Sequence, residues 1–399
     1  MAELVPPASA RTVVVALSGG VDSATAAGLL VRAGHRVIGM TMRLYDARTT
    51  GTARGRCCGP RDVEDARRVA EHLDIPFYVL DLEAEFARTV VDDFVTSYLD
   101  GETPNPCVRC NQHVKFAPLL ARARAVGADV LATGHYGRIA PGPDGAPALW
   151  RAKDADKDQS YFLFSMPPEA LGQVWFPLGE LTKPAVRALA AEQGLPNAAK
   201  HRRVARALAG LATPAPVVPA PAQLHYRAKG KYVAGRTDGH LALGAWAPDQ
   251  HVFVDTAGCQ VVTRAIDRAR GLVLGRHDGV HRFTIGQHKG LGNLRGVGPD
   301  DRRFVTAIDP AAGTVTVGAR ADASVRGFAL AEPRWLGPRA ATAQVQVRHR
   351  GPRVPAQVTV GARVEIELAE PLVAAPGQAA VIYDGDRVVG GGWVARSSG

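Results

Sequence analysis

The chain has 399 residues, of which 46% are hydrophobic and 22% charged, ordinary values for a soluble globular protein of two or three domains. No apolar run is long enough to span a bilayer and no secretory signal is visible, so we expect a cytoplasmic protein with no membrane-bound part. Five cysteines exclude a disulfide scaffold and favour reduced thiols. The net charge of +10 comes from residues 201–399, with 26 Lys and Arg against 15 Asp and Glu. This excess leaves a nucleic-acid partner and a solubilising Arg-rich surface both open.

Short β-branched segments alternate with amphipathic segments through the first 135 residues. The pattern predicts strands over 12–17, 37–41, 77–82 and 130–133, and helices over 22–33, 62–73, 86–98 and 116–126. Alternation of this kind predicts βαβ crossovers and a doubly wound parallel sheet, an α/β fold. Such sheets bind ligands at the carboxyl ends of their strands.

The character of the chain changes after one more predicted helix at 180–195. Residues 201–223 hold seven Ala and four Pro without an amphipathic period, which is typical of a linker. From about residue 300, alternating segments at 314–317, 343–347, 364–368 and 380–383 predict a small antiparallel β-barrel or sandwich.

The hexapeptide SGGVDS at 18–23 follows the first predicted strand and opens the first helix. Gly19 and Gly20 allow a close backbone approach, so that N–H groups and the helix N-terminus can bind a phosphate. Ser18 and Ser23 can add hydroxyl donors. Asp22 would repel phosphates unless it orients the loop or helps to hold Mg²⁺. The segment lacks the Lys of a Walker loop, and it predicts a different kind of phosphate site.

A second motif, TPNPCVRCNQHVKF at 103–116, places two cysteines ahead of a helix. A helix N-terminus favours the thiolate, and Arg109 and Lys115 act in the same direction. The spacing of Cys107 and Cys110 also suits half of a zinc site, for which the Cys57–Cys58 pair is a poor complement. Thiol chemistry and metal binding therefore both remain open at this point.

Further segments complete an ordered pattern along the chain: ALSGGVDS at 16–23, GMTMRLYD at 39–46, DVEDARRVAEHLDIPFYVLDLEAEF at 62–86, ATGHYGRI at 132–139, KDQSYFLF at 157–164, FPLGELTK at 176–183, HDGVHRFTIGQHKGLG at 277–292, RFVTAID at 303–309 and PGQAAVIYDGDRVVGGG at 376–392. Together with the cysteine motif, they make the chain resemble the tRNA-specific 2-thiouridylases of the N-type ATP pyrophosphatase superfamily. The resemblance covers about 1–200 and 271–399.

The resemblance implies both the domains and the reaction. It implies an ATP pyrophosphatase domain over 1–200, an atypical linker and central tRNA-binding domain over 201–298, and a C-terminal β-barrel over 299–399. The implied reaction uses ATP and Mg²⁺ to adenylate the C2 oxygen of uridine 34 in the anticodon loop of tRNA. A cysteine persulfide, loaded by a sulfur-donor protein, then replaces AMP and leaves 2-thiouridine. The enzyme is expected to act as a monomer.

Residue by residue, the resemblance assigns three kinds of role and names no metal-binding side chain. Cys110 matches the nucleophile, with Asp22 and Cys107 beside it in the catalytic set. The ATP-binding positions are Ala16, Leu17, Ser18, Gly19, Gly20, Val21, Asp22, Ser23, Met42 and Gly134. The tRNA-binding positions are Asn105, Pro106, Cys107, Lys157, Asp158, Gln159, Arg348 and His349. His135 is open to a functional or a structural role.

The chain departs from the family where a second catalytic cysteine normally follows the helix at 180–195. Here His201 and a run of Arg and Ala stand in its place, and Cys259 lies in an unrelated context. Cys107 could replace the missing thiol, or Cys107, Cys110 and one of Cys57 and Cys58 could hold a [4Fe–4S] cluster. Two further alternatives are a protein that binds ATP and tRNA without thiolating, and another N-type ATP pyrophosphatase.

Overall fold

The computed structural model describes residues 10–44, 60–199, 232–237, 240–245, 263–267, 273–277, 279–291, 294 and 301–396. In this part of the chain the helices are α1 Val21–Arg32, α2 Pro60–His72, α3 (the consecutive segments Glu83–Phe86, Ala87–Val91 and Asp92–Leu99), α4 (the consecutive segments Pro106–Cys110, Asn111–Phe116 and Ala117–Ala125), α5 Ser160–Leu163 and α6 Lys183–Glu192. The strands are β1 Thr12–Ala16, β2 Arg36–Arg43, β3 Phe77–Asp81, β4 Val130–Thr133, β5 Arg138–Pro141, β6 Pro147–Trp150, β7 Val174–Trp175, β8 Tyr232–Thr237, β9 His240–Ala245, β10 Thr263–Asp267, β11 Val273–His277, β12 Phe304–Asp309, β13 Thr314–Gly318, β14 Val325–Trp335, β15 Thr342–Gln346, β16 Val354–Val360, β17 Val364–Leu372, β18 Ala379–Asp384 and β19 Arg387–Val394.

The chain divides into two compact units that interleave in sequence. The first unit comprises residues 1–84, 123–135 and 175–259, and the second comprises 85–122, 136–174 and 260–399. The chain passes between the units several times.

The first unit contains a five-stranded sheet in the order β3-β2-β1-β4-β7. The pairings β1–β2, β1–β4 and β2–β3 are parallel, which confirms the sheet predicted from the alternating pattern. Val13, Val14 and Val15 of β1 are fully buried, because a central strand of such a sheet is covered on both faces. Apolar residues of α1 and α2 pack against this sheet in a single core that includes Ala27 and Val69.

The second unit contains a closed antiparallel barrel. Its six strands pair in the order β14-β17-β16-β15-β18-β19, and β19 pairs again with β14. Alternate residues of β16 point into the barrel core, as the period of two predicts. This closure confirms the predicted C-terminal barrel and excludes the sandwich. The hairpin β5–β6 extends the same sheet, because β6 pairs with β19.

A four-stranded sheet in the order β11-β10-β13-β12 also belongs to the second unit. Phe283, Val305, Val315 and Val317 form its core. Several predictions lie outside the described residues: the linker at 201–223 and the side chains of Cys57, Cys58 and Cys259. No helix of the described segments is long and apolar enough to cross a membrane.

Candidate functional site

The predicted phosphate loop joins β1 to α1 in the first unit. Gly19 adopts φ +69°, a left-handed conformation that side chains rarely take. A Cβ atom on Gly19 would also lie 2.4 Å from the carbonyl oxygen of Asp62. Both observations require glycine at this position, so the turn has the close-packed backbone that the sequence predicted.

The N-terminus of α1 has no side-chain cap. Gly20 is the N-cap residue and has no side chain to accept hydrogen bonds from the first turn. The Ser23 hydroxyl accepts a hydrogen bond from the Ser18 N–H at 3.1 Å and donates to the Gly20 carbonyl at 3.2 Å. The two serine hydroxyls are 3.2 Å apart. In this structure the serines therefore brace the loop, a role that the sequence analysis did not assign to them.

Gly134 is brought against the same loop. A Cβ atom on Gly134 would lie 2.5 Å from the Ser23 nitrogen and 2.8 Å from the Asp22 carbonyl carbon. Because these are backbone atoms, no side chain can move aside to make room. The resemblance assigned Gly134 to ATP binding, and the fold places it beside the phosphate loop for a packing reason of its own.

The other predicted ATP-binding residues lie on β1 and β2 or next to the loop itself. Leu17 is buried and its N–H donates to the Met40 carbonyl at 2.7 Å. Ala16 pairs with Met40 on β2, and Met42 is buried two residues further along β2. Val21 packs at the edge of the core. These residues are mostly buried and build the walls that hold the loop.

Lys183 also belongs to this site, although in the sequence it stands out only as the last residue of the FPLGELTK segment. It begins α6 and forms a close ion pair with Asp22, in which the Lys183 side chain is 15% exposed. A lysine in the first turn of a helix is opposed by the helix dipole unless an acid balances it. That unfavourable position was the available sequence signal for a pairing. The pair also makes an acid compatible with the predicted phosphate loop.

His135 lies next to the same strand end. Its Nδ1 is 2.7 Å from the Thr133 hydroxyl, and its ring packs edge-on to Phe176 with centroids 6.1 Å apart. These contacts hold the imidazole in place and fit the structural interpretation of this residue.

The cysteine motif of the second unit lies within α4. Asn105 caps the helix, since its Oδ1 accepts a hydrogen bond from the Val108 N–H at 3.4 Å, and Pro106 occupies the first turn. Cys107 is exposed, whereas Cys110 is buried. The sequence predicted a helix beginning only at residue 116. The helix begins ten residues earlier because Asn at the cap followed by Pro is itself a helix start signal.

The buried side of the cysteine helix is fixed by hydrogen bonds to another segment. The Asn111 side-chain amide donates to the Phe162 carbonyl at 2.8 Å, and the Ser165 hydroxyl donates to the Val108 carbonyl at 3.3 Å. Cys110 lies between these two attachments in sequence. Its backbone is therefore held more firmly than that of Cys107.

Arg109, between the two cysteines, is paired on both sides. Its Nε lies 3.3 Å from Asp93, and its two terminal nitrogens donate to the Glu332 carboxylate at 2.7 and 3.0 Å. Its guanidinium carbon lies 4.2 Å from the centre of the Trp393 ring. Burial opposes the charge of Arg109, but Glu332 and Asp93 outweigh burial and raise its pKa. The sequence predicted that Arg109 favours a thiolate, yet two carboxylates offset its charge here.

The predicted tRNA-binding stretches meet each other in the second unit. The His349 ring lies 4.6 Å from the Phe162 ring, and Arg350 donates a hydrogen bond to the Asp156 carbonyl. Asp158 is buried, and its carboxylate accepts hydrogen bonds from Arg151 at 3.0 Å and from the Ser160 hydroxyl at 2.9 Å.

The remaining members of these stretches differ in their surroundings. The Gln159 side chain accepts from the Tyr136 N–H at 2.9 Å. Lys157 is partly exposed, and Arg348 lies near Gly286. Asp158 and Gln159 therefore support these stretches through internal hydrogen bonds, whereas Lys157 and His349 are partly exposed to solvent.

A metal centre has little support among the described residues, where no group of three or more His, Cys, Asp or Glu side chains is placed to hold an ion. Cys107 and Cys110 supply two thiolates of the three that the cluster hypothesis needs. The third would come from Cys57 or Cys58, outside the described residues.

Comparisons with known proteins match nearly the whole chain. Family models match residues 11–204 as "tRNA methyl transferase HUP domain", 257–319 as "tRNA methyl transferase PRC-barrel domain" and 325–394 as "Aminomethyltransferase beta-barrel domain". The tRNA-specific 2-thiouridylase MnmA of Rhodospirillum centenum is 43% identical over 96% of this chain and 92% of its own length. That of Geobacter metallireducens is 41% identical over 96% of both chains.

Solved structures are less similar. An NMN synthetase from Francisella tularensis aligns with a TM-score of 0.29 and 18% identity over 48% of this chain and 64% of its own. That likeness says nothing about function, whereas the curated relatives are similar from end to end. The chain belongs to the tRNA-specific 2-thiouridylase family.

Proposed function

We propose that this protein is a tRNA-uridine 2-sulfurtransferase that converts uridine 34 of tRNA into 2-thiouridine and releases AMP and pyrophosphate. The observation that carries the proposal is the glycine-rich turn between β1 and α1, in which Gly19 holds a left-handed backbone conformation and the first turn of α1 has no side-chain cap. The names of the full-length relatives support tRNA thiolation as the purpose of that ATP.

The first half-reaction makes a leaving group. The C2 oxygen of the uridine attacks the α-phosphorus of ATP, the bond to the β-phosphate oxygen breaks, and pyrophosphate departs. The N-terminus of α1 binds the phosphates, and Lys183 adds a positive charge when it leaves Asp22 for a phosphate oxygen. Asp22 is the residue that would hold Mg²⁺, and the ion supplies further charge neutralisation on the phosphates.

The second half-reaction replaces oxygen by sulfur. A persulfide on Cys110, loaded by a sulfur-donor protein, attacks C2, and AMP leaves with the original oxygen. A second thiol then attacks the Cys110 sulfur, so that the sulfur–sulfur bond breaks, a disulfide forms and 2-thiouridine is released. We assign this second thiol to Cys107, on the same helix as Cys110. An external dithiol returns the disulfide to two thiols.

The basic second half of the chain supports the assignment of tRNA as the partner. A base in an anticodon loop is single-stranded and can be turned into a pocket and stacked on aromatic side chains. His349 and Phe162 offer such rings, with centroids 4.6 Å apart. We propose that the protein acts as a monomer in the cytoplasm, where tRNA and reduced thiols occur together.

The decisive experiment incubates the protein with an anticodon stem-loop transcript, ATP, Mg²⁺ and a persulfide donor. Mass spectrometry of the digested RNA then identifies 2-thiouridine and distinguishes it from a methylated uridine. Thiolation in air, without iron, supports the proposal. Tight binding of ATP and tRNA without a product favours the binding-only alternative. Activity only after anaerobic reconstitution, with visible absorbance and bound iron, favours the cluster alternative.

A further inference from the structure

Glu332 holds an unusual backbone conformation in the middle of a strand. It adopts φ +47° within β14, where non-glycine residues rarely go. The β14–β19 pairing shifts register between Ala331 and Arg334, which marks a bulge around Glu332. Bulges of this kind redirect a side chain, and strained residues persist only where their surroundings hold them.

The redirected side chain reaches the cysteine helix. Both carboxylate oxygens of Glu332 accept hydrogen bonds from Arg109, at 2.7 and 3.0 Å. A planar guanidinium with two parallel bonds is fixed in orientation as well as in distance. Trp393 covers the face of the guanidinium at 4.2 Å, and this residue pairs with Ala331 immediately before the bulge.

Arg109 is held from a second side by α3. Its Nε lies 3.3 Å from Asp93, so one cation faces two carboxylates. Burial raises the pKa of Asp93, and the bond from Arg109 lowers that of Glu332. Of the two acids, Glu332 is therefore the more firmly ionised partner. Together, Glu332 and Asp93 compensate the charge of Arg109, which directly precedes Cys110 in the helix.

We propose that Glu332 is a positioning residue for sulfur transfer: by clamping Arg109 it fixes the second turn of the cysteine helix, and with it the place from which Cys110 delivers sulfur. This inference rests on the proposed function, because it deepens the role of Cys110. If Glu332 served only to form the bulge, glycine at this position would relieve the backbone strain without loss of function. If its carboxylate positions Arg109, glycine would relieve the strain but impair sulfur transfer.

The test compares three variants with the wild-type protein. Glu332→Gly removes the strain together with the carboxylate, because glycine adopts a positive φ freely. Glu332→Gln keeps one acceptor and loses the second. Glu367→Gln is the matched control, since Glu367 is an exposed glutamate on the neighbouring strand β17. The measurements are thermal unfolding, tRNA-dependent ATP–pyrophosphate exchange, and single-turnover formation of 2-thiouridine.

We expect Glu332→Gly to remain folded and to keep its pyrophosphate exchange, because relief of the strained backbone offsets part of the lost ion pair. Sulfur transfer should slow about tenfold or more, the scale of effect that misplacing a reacting group produces. Glu332→Gln should fall between wild type and Glu332→Gly, and Glu367→Gln should match wild type. Sulfur transfer at the wild-type rate in a folded Glu332→Gly protein would overturn the proposal. An equal loss of exchange and transfer would overturn it too, because the defect would then not be confined to Cys110.

A second readout separates this inference from the proposed function. Alkylation of Cys110 relative to Cys107 by iodoacetamide needs neither ATP nor tRNA. Release of the clamp should raise the labelling of buried Cys110 several-fold in Glu332→Gly, while Glu367→Gln stays at the wild-type ratio. An unchanged ratio would contradict the clamp even in a protein that fails to thiolate tRNA. Suppose instead that the labelling ratio changes in Glu332→Gly but the wild-type protein does not thiolate tRNA. The hold of Glu332 on Arg109 would then be supported and the proposed function refuted.

Discussion

Replacing Gly19 by alanine tests the phosphate loop most directly. An alanine at φ +69° costs roughly 1–2 kcal/mol in a left-handed conformation. The new Cβ would lie 2.4 Å from the Asp62 carbonyl oxygen, and relieving that overlap costs about 1–3 kcal/mol. The total of about 2–5 kcal/mol is comparable with the lower end of a domain's stability, so the loop should deform before the sheet unfolds. A displacement of about 1 Å at a reacting group lowers rates about 100-fold.

The assay is tRNA-dependent ATP–pyrophosphate exchange, followed together with thermal unfolding. Gly20→Ala is the control for folding, because Gly20 has φ −89° and its Cβ would meet only the Ser18 hydroxyl, at 3.4 Å. We expect Gly20→Ala to unfold at the wild-type temperature and Gly19→Ala to lose about 100-fold in exchange while remaining folded at 25 °C. Exchange by Gly19→Ala at the wild-type rate would refute the assignment of this turn to phosphate binding.

Three further predictions concern the ion pair, the nucleophile and the partner. Lys183→Met should reduce pyrophosphate exchange by about 10²-fold or more through loss of a charge at the phosphates, as measured at saturating ATP; an unchanged rate would confine Lys183 to balancing Asp22. Cys110→Ser and Cys107→Ser should each abolish 2-thiouridine formation, whereas Cys259→Ser should not, and thiolation by Cys110→Ser would remove the nucleophile assignment. The logarithm of tRNA affinity should fall linearly with the logarithm of salt concentration, by about 0.7–0.9 per phosphate contacted, in a filter-binding titration; a flat line would contradict the polyanion argument.

The elements of the first unit were predictable because their signals are local. The apolar run of β1 and the periodic faces of α1 and α2 gave the strands and helices to within a few residues, and β4 was predicted with its observed ends. Period and turn chemistry are properties of adjacent residues, so one sequence suffices to find them. The alternating strands of the barrel were found for the same reason.

Long-range pairs were not predictable. Arg109 and Glu332 are 223 residues apart in sequence, and Asp22 and Lys183 are 161 apart. Asp22 and Lys183 each stand at a position that calls for an opposite charge, but nothing in the sequence says which residue supplies it, and Arg109 and Glu332 carry no such signal. The hairpin β5–β6 was missed for a related reason, since these short strands are completed only by β19.

The two cysteines of α4 differ in how easily each can move to form a disulfide. Residues at i and i+3 of a helix have Cβ atoms about 5–6 Å apart, whereas a disulfide needs about 3.5–4.5 Å, so one turn must open. Cys107 is exposed in the first turn, where the Val108 and Arg109 N–H groups donate to the Asn105 carbonyl at 3.1 and 3.2 Å. Cys110 is buried next to Arg109, which Glu332 and Asp93 hold. Because Cys107 is exposed and Cys110 is buried, we expect a disulfide to close by movement of Cys107 toward Cys110, which is the order of events expected if Cys110 carries the sulfur and Cys107 resolves it.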